Sequence, residues 1–159
     1  MKKNKIKDTG LEITELSFGT SSLGSMPDTY GYEVSEDRAQ KTLNRFFQGP
    51  VNMLDTSRNY AMGESEKRIG RAIKENGGWP KDLLLSTKLD RDMDTLVLDK
   101  NRARQSFEES LKTLNTDSVD ILFLHDPEYA KDVNDITKKD GAMDELFKIK
   151  EEGLAKAVG

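Results

Sequence analysis

Three short apolar segments, each closed by an ionisable residue, limit what this chain can fold into more than any other feature. The segments and their closing residues are 51–54 with Asp55, 83–87 with Lys88, and 119–124 with His125. Each has the length and composition of a strand, and a helix-like segment separates it from the next. This alternation is typical of a parallel sheet with right-handed crossovers, whose strands all end at one edge. An acid, an amine and an imidazole are therefore expected to meet at that edge.

The rest of the chain extends the pattern at both ends. Residues 5–7 and 11–13 alternate around a turn at Gly10, which predicts a β-hairpin. Residues 16–19 are expected to form the first strand of the sheet, and residues 155–159 the fifth. The sequence thus predicts an α/β fold in a single domain, 1–159. We expect part of a (β/α)8 TIM barrel, with about five parallel strands and four helices after an N-terminal β-hairpin.

Capping residues and apolar periodicity locate the four helices. Ser35 and Asp99 are suitable N-caps for the first and third helices, and Gly153 ends the fourth. The second is expected over 65–75 and the fourth over 141–152. The apolar residues expected to face inwards on the fourth helix are Met143, Leu146, Phe147 and Ile149.

Composition argues against several classes of partner. The net charge of −4 disfavours nucleic acid and anionic membranes as ligands. There is no cysteine and only one histidine, so neither a disulfide nor a zinc site of cysteines or clustered histidines is expected. No apolar run approaches the roughly 20 residues of a membrane span, and the basic N-terminus is not followed by the apolar core of a signal peptide. The cytoplasm is the expected location.

Tyr60 adds a fourth candidate to the same edge, because it lies five residues beyond Asp55. A tyrosine is ordinarily too weak an acid to exchange protons near neutral pH, and a nearby ammonium strengthens it by stabilising the phenolate. A carboxylate would orient that ammonium, and a neutral imidazole could donate a hydrogen bond to a carbonyl oxygen. Each residue also has an ordinary structural interpretation. Asp55 could cap a loop, Lys88 could be solvated, His125 could support a turn, and Tyr60 could simply pack.

Short motifs spread over the whole chain match one enzyme family. They are Gly19-Thr20; Asp55-Thr56-Ser57 with Tyr60 and Gly63; Ser65-Glu66 with Ile69-Gly70; Lys88; Ser110-Leu111 with Leu114; and Val119-Asp120 before His125. In this combination the chain resembles the aldo-keto reductases, which are NAD(P)-dependent (β/α)8 barrel oxidoreductases. Segments 87–94 and 124–128 are most similar to the branch of D-threo-aldose 1-dehydrogenases and L-fucose dehydrogenase-like enzymes.

The resemblance implies a role for each candidate residue. Tyr60 would be the general acid or base, tuned by Lys88 paired with Asp55, and His125 would orient the substrate oxygen. Gly19, Thr20 and Asp55 would line the nicotinamide end of NADP or NAD. The implied substrate is an aldose or aldehyde, and oxidation of an aldose at its anomeric hydroxyl would give a lactone.

The length departs from that family, since a complete barrel typically needs about 250 residues. In the family, a Ser-Asn pair after the fifth strand, a ring-stacking residue on the seventh, and further loops complete the cofactor site. The 159 residues contain neither these units nor a GxGxxG or P-loop motif. We therefore expect the N-terminal half of an aldo-keto reductase barrel, with little turnover by itself because it holds NAD(P) poorly.

A part-barrel has two open sheet edges, which are either continued by a longer polypeptide or paired with another chain. A second copy of this chain or a complementing C-terminal half could serve as that partner. The alternative function is a non-catalytic, partner-binding subunit on the same half-barrel, as in potassium-channel β subunits. A doubly wound response regulator is disfavoured, because no acidic pair ends the first strand.

Overall fold

A sheet of five parallel strands forms the centre of the fold, and the computed structural model describes residues 1–159. A two-stranded hairpin precedes the sheet. The strands are β1 (Lys3–Lys5), β2 (Glu12–Thr14), β3 (Phe18–Gly19), β4 (Met53–Asp55), β5 (Leu84–Leu89), β6 (Val119–Leu124) and β7 (Ala155–Val158). Strands β3 to β7 are hydrogen-bonded in chain order, with β3 and β7 at the two edges. The predicted α/β architecture is confirmed.

Four long helices and two single-turn helices connect the strands. They are α1 (Pro27–Tyr30), α2 (Glu36–Phe47), α3 (Glu64–Glu75), α4 (Lys100–Leu114), α5 (Asn134–Thr137) and α6 (Ala142–Glu151). The side chains of Ser35 and Asp99 accept hydrogen bonds from the backbone N–H groups of Arg38 and Arg102, as N-caps do. The four predicted helices are therefore present, whereas α1 and α5 were not predicted. None of the helices combines the length and the apolar character needed to cross a membrane.

Alternation along each strand sends side chains to two different environments. Leu54, Leu85 and Leu122 face the helices and belong to a core of 23 buried hydrophobic residues. Met53 and Leu84, which are register partners, face the other way into a smaller cluster of five. This second face is the inner face of the curved sheet, and it also carries the ionisable residues at the strand ends.

The hairpin covers the end of that inner face at which the strands begin. Leu11 of the hairpin loop packs with Met53, Leu84 and the other members of the smaller cluster. Asn52, just before β4, fastens the hairpin, since its side chain donates to the carbonyl of Glu12 at 2.8 Å and accepts from the Thr14 N–H at 2.9 Å. The hairpin is confirmed but its predicted strands were misplaced. Asn52 binds residues 12 and 14, which form β2 together with Ile13. Residues 3–5 of β1 therefore pair with residues 14–12 of β2, and residues 6–11 form the loop between them.

The inward face of α6 differs from the prediction. Met143 is 37% exposed and Phe147 is 50% exposed, so both expectations were wrong. The buried stripe consists of Ala142, Glu145, Leu146 and Ile149. Glu145 can occupy it because the guanidinium of Arg104 on α4 pairs with its carboxylate at 2.5 Å. An ion pair between helices thus places a charged residue where apolar periodicity alone predicts a hydrophobic one.

Candidate active site

The ends of β4, β5 and β6 bring the candidate residues to one edge. Asp55 lies beside Ser86 in the register of β4 and β5, and Lys88 lies beside Phe123 in that of β5 and β6. Alternation along the strands places Asp55 and Lys88 on the inner face, and His125 follows two residues after Phe123. The predicted convergence of acid, amine and imidazole is present in the structure.

Lys88 is the centre of the cluster. Its Nζ lies 3.0 and 2.9 Å from the two carboxylate oxygens of Asp55 and 2.8 Å from the carbonyl oxygen of Thr56. The same Nζ donates to the phenolic oxygen of Tyr60 at 3.1 Å. The Lys88 side chain is 12% exposed and that of Asp55 is 29% exposed, so the ion pair is only partly screened by water. Ser86 donates a further hydrogen bond to Asp55 at 3.0 Å, which fixes the carboxylate.

The turn that carries Tyr60 has an unusual backbone. Ala61, Met62 and Gly63 follow Tyr60 with φ values of 52°, 54° and 88°. The left-handed region costs an L-residue about 1–2 kcal/mol, so Ala61 and Met62 hold strain. Gly24 packs directly against this turn, and a Cβ there would overlap that of Ala61 and come within 2.9 Å of the Ser65 backbone nitrogen. The surrounding packing therefore holds Tyr60 in place.

His125 is oriented by two residues that sequence reasoning missed. Its Nδ1 is hydrogen-bonded to Oδ1 of Asp90 and lies 3.1 Å from the hydroxyl of Ser57. Asp90 is fully buried. The His125 ring also stands edge-on to that of Tyr60, with 5.6 Å between centroids. Strand alternation could have indicated both partners, because Ser57 and Asp90 each follow a predicted site residue by two positions.

The three residues expected to line a nicotinamide are not equally accessible. Gly19 is exposed, and a Cβ there would meet nothing within 4 Å, so its backbone can lie flat against a ring. Asp55 is its register partner on β4. Thr20, in contrast, is fully buried; its hydroxyl donates to the Asp55 carbonyl at 2.9 Å and accepts from Ser65 at 3.1 Å. Gly19 is therefore open to a ligand beside Asp55, whereas Thr20 supports the loop from beneath, and the nicotinamide-binding role of these residues stays a prediction.

A second buried carboxyl lies behind the sheet. Glu66 on α3 is fully buried and accepts a hydrogen bond from Thr87 at 2.7 Å. Its other oxygen makes no close hydrogen bond, and the buried Ser110 hydroxyl is the polar group that interacts with it. Burial raises the pKa of Glu66 to about 7, although the side-chain interactions with Thr87 and Ser110 lower it. Thr87 directly precedes Lys88, so Glu66 supports the strand that carries the central ammonium.

The arrangement is suited to moving a proton to or from a substrate oxygen. A phenol in contact with an ammonium has a partner that stabilises its ionised form. An imidazole beside it offers a second hydrogen-bonding group with a defined orientation. Asp55, Tyr60, Lys88 and His125 are therefore together, and their catalytic roles stay predictions.

Comparisons with known proteins identify the family of this chain. A model of the aldo/keto reductase family matches residues 15–159. L-galactose dehydrogenase of Arabidopsis thaliana is 34% identical over 152 residues, which are 96% of this chain and 46% of that protein. D-threo-aldose 1-dehydrogenase of a Pseudomonas species is 30% identical over 175 residues, covering 94% and 50% of the two chains. Both names fit the branch that the segments at 87–94 and 124–128 resemble.

A solved structure agrees on the fold. An aldo-keto reductase from Klebsiella pneumoniae, in complex with NADPH, matches with a TM-score of 0.73 at 20% identity, covering 100% of this chain and 49% of that one. At that identity the likeness concerns the fold alone. The chain spans about half the length of the curated relatives it matches.

Proposed function

Because this chain belongs to the aldo/keto reductase family, we propose that it supplies the proton-transfer residues of an NAD(P)-dependent oxidoreductase. The proposed reaction moves a hydride between a nicotinamide and the carbonyl or hydroxyl carbon of an aldose or aldehyde. The observation that carries the proposal is the position of the Lys88 ammonium, within 3.1 Å of both the Tyr60 phenol and the Asp55 carboxylate.

Each residue has one task in this proposal. Tyr60 gives a proton to the carbonyl oxygen during reduction and takes it from the hydroxyl during oxidation. Lys88 makes that exchange easier by stabilising the phenolate, and Asp55 keeps Lys88 charged and oriented. His125 hydrogen-bonds the same substrate oxygen and thereby orients the reacting carbon.

The cofactor would be NADP or NAD. When bound, the nicotinamide supplies or accepts the hydride. Gly19 and Asp55 would hold its ring end, and the loop that Thr20 supports would keep their spacing. Membership of the aldo/keto reductase family supports a nicotinamide cofactor in this proposal, and it leaves both NADP and NAD as candidates. An aldose substrate is supported by the names of the two curated relatives.

The active form is expected to require more protein than these 159 residues. We propose that the chain alone turns over little, because the described residues offer a nicotinamide its ring end only. The open edges of β3 and β7 would pair with a complementing C-terminal half or a second copy. We also propose that the partner of the site is a small-molecule carbonyl or sugar substrate and that the protein acts in the cytoplasm.

Two measurements test it in sequence. Native mass spectrometry of the chain with NADP⁺ or NAD⁺ should show a 17.9 kDa species without nucleotide. The chain is then fused to the part of Arabidopsis L-galactose dehydrogenase that it does not match. The chimera should reduce NAD(P)⁺ when an aldose is added, and Tyr60→Phe should lower its turnover by about 10²–10⁴-fold while folding is retained.

The outcomes separate the possible functions. Strong turnover by the 159-residue chain alone would refute the expectation that it needs a complement. A folded chimera that binds nucleotide but turns over no aldose or aldehyde would contradict the enzymatic proposal. It would favour the alternative, a non-catalytic, partner-binding subunit. The ammonium beside Tyr60 is the feature that argues against that alternative, because a subunit that only binds a partner does not need it.

A further inference from the structure

His125 lies in a polar cradle, a set of hydrogen-bonding groups that surround its ring. These groups belong to residues outside the four predicted catalytic residues, and the predicted roles do not account for them. The cradle consists of the side chains of Asp90 and Ser57 and the backbone N–H of Asn59. Ser57 donates to Oδ2 of Asp90 at 2.8 Å, and the Asn59 N–H reaches Ser57 Oγ at 3.1 Å and Asp90 Oδ2 at 3.2 Å. All of it is buried or partly buried, and Asp90 and Ser57 have no exposed surface.

Counting donors decides which ring nitrogen of His125 carries a hydrogen. Ser57 has one hydroxyl hydrogen, and its bond to Asp90 Oδ2 uses it. Both groups that reach Oδ2 are donors, so this oxygen acts as an acceptor. His125 Nδ1 therefore faces two acceptors, Asp90 Oδ1 and a lone pair of Ser57. A ring nitrogen between two acceptors must carry the proton.

The other ring nitrogen is left for a ligand. His125 Nε2 makes no hydrogen bond within the protein, and its nearest charged neighbour is the carboxylate of Asp126 at 3.8 Å. In a neutral imidazole, one nitrogen donates and the other accepts. With the proton on Nδ1, Nε2 presents a lone pair. A neutral His125 in this cradle can therefore accept a hydrogen bond from a hydroxyl but cannot donate one to a carbonyl, which is the opposite of the donor role expected from the sequence.

We propose that Asp90, with Ser57, is a positioning residue that holds neutral His125 in its Nδ1–H form, so that Nε2 accepts a hydrogen bond from the hydroxyl of the substrate. The site would then recognise the alcohol form of the substrate when the ring is neutral, and the carbonyl form only when the ring is protonated. The consequence for substrate binding rests on the proposed function, whereas the state of the ring does not.

The single histidine of the chain allows a direct test. The 159-residue protein, labelled with ¹⁵N in the imidazole, gives one pair of ring signals in a long-range ¹H–¹⁵N spectrum, with no assignment to make. A pH series that reaches the neutral ring should show a hydrogen-bearing Nδ1 and a hydrogen-free Nε2. A hydrogen on Nε2, or rapid exchange between both forms as in free imidazole, would overturn the proposal. The unmodified protein alone is enough for this measurement.

Two variants identify the residue responsible. Asp90→Leu removes the buried acceptor at similar size and should move the hydrogen to Nε2. Asp126→Asn neutralises the other carboxylate near the ring and should leave the hydrogen on Nδ1. If folded Asp90→Leu keeps the Nδ1–H form, Asp90 is not the positioning residue. Neither nucleotide nor substrate is needed, so an inactive chimera would count against the proposed function without changing this result.

Discussion

Replacing Glu66 with glutamine should reveal how much a buried carboxylate costs this fold. Glu66 is fully buried, one of its oxygens accepts from Thr87, and the other has only a weak interaction with the Ser110 hydroxyl. Burial raises the pKa of Glu66 from its ordinary 4.5 to about 7. Between these two pH values the folded protein retains a proton that the unfolded chain releases. The free energy of unfolding must therefore fall as the pH rises through this window.

The size of the effect follows from the pKa shift. A rise from 4.5 to about 7 corresponds to about 3 kcal/mol, present in full below pH 4.5 and lost by about pH 7. Glu66→Gln cannot ionise and keeps an oxygen for Thr87. Relative to the unmodified protein, the variant should become more stable by about 3 kcal/mol between pH 4.5 and 7, with little further change above. Other titrating groups are common to both proteins and cancel in the difference.

Urea unfolding of both proteins from pH 4.5 to 8 measures this difference. Glu145→Gln is the matched contrast, because Glu145 is also buried but its carboxylate pairs with Arg104. Removing that charge should destabilise the protein at neutral pH, since Arg104 then loses a partner. A stability difference between Glu66→Gln and the unmodified protein that does not vary with pH would refute the reasoning.

Two further experiments test the packing and the charges of the site. Gly24→Ala should lower the free energy of unfolding in urea by about 1–3 kcal/mol, because its Cβ would overlap that of Ala61. Gly19→Ala is the control and should cost clearly less, since its Cβ would meet open space. Equal losses for the two variants would contradict the packing described around Tyr60. The second experiment is a double-mutant cycle with Lys88→Met and Asp55→Asn. The coupling free energy should be about 1 kcal/mol, and it is small because the ion pair is partly exposed to water. Additive effects of the two substitutions on the free energy of unfolding would argue against a direct ion pair.

Much of the fold could be predicted from neighbouring residues along the chain. Strand lengths, alternation and the caps Ser35 and Asp99 depend on interactions within a few positions, so they identified the five parallel strands and the four long helices. Since parallel strands end at one edge, the same local pattern predicted that Asp55, Lys88 and His125 would meet. Three of the four candidate residues came from the sequence for this reason, and Tyr60 followed because it lies five residues beyond Asp55.

Other features depend on which distant segments meet, and only the tertiary structure decided them. Glu145 took a buried position on α6 because Arg104 of another helix reaches it, and the side chain of Asn52 set the hairpin register from about 40 positions away. Asp90 became the partner of His125, 35 positions distant, and Glu66 was buried against Thr87. Burial and pairing change the energy of a polar group far more than its sequence neighbours do. The sequence therefore determined which residues face the site, and the tertiary structure determined the partners and the charge environment of each.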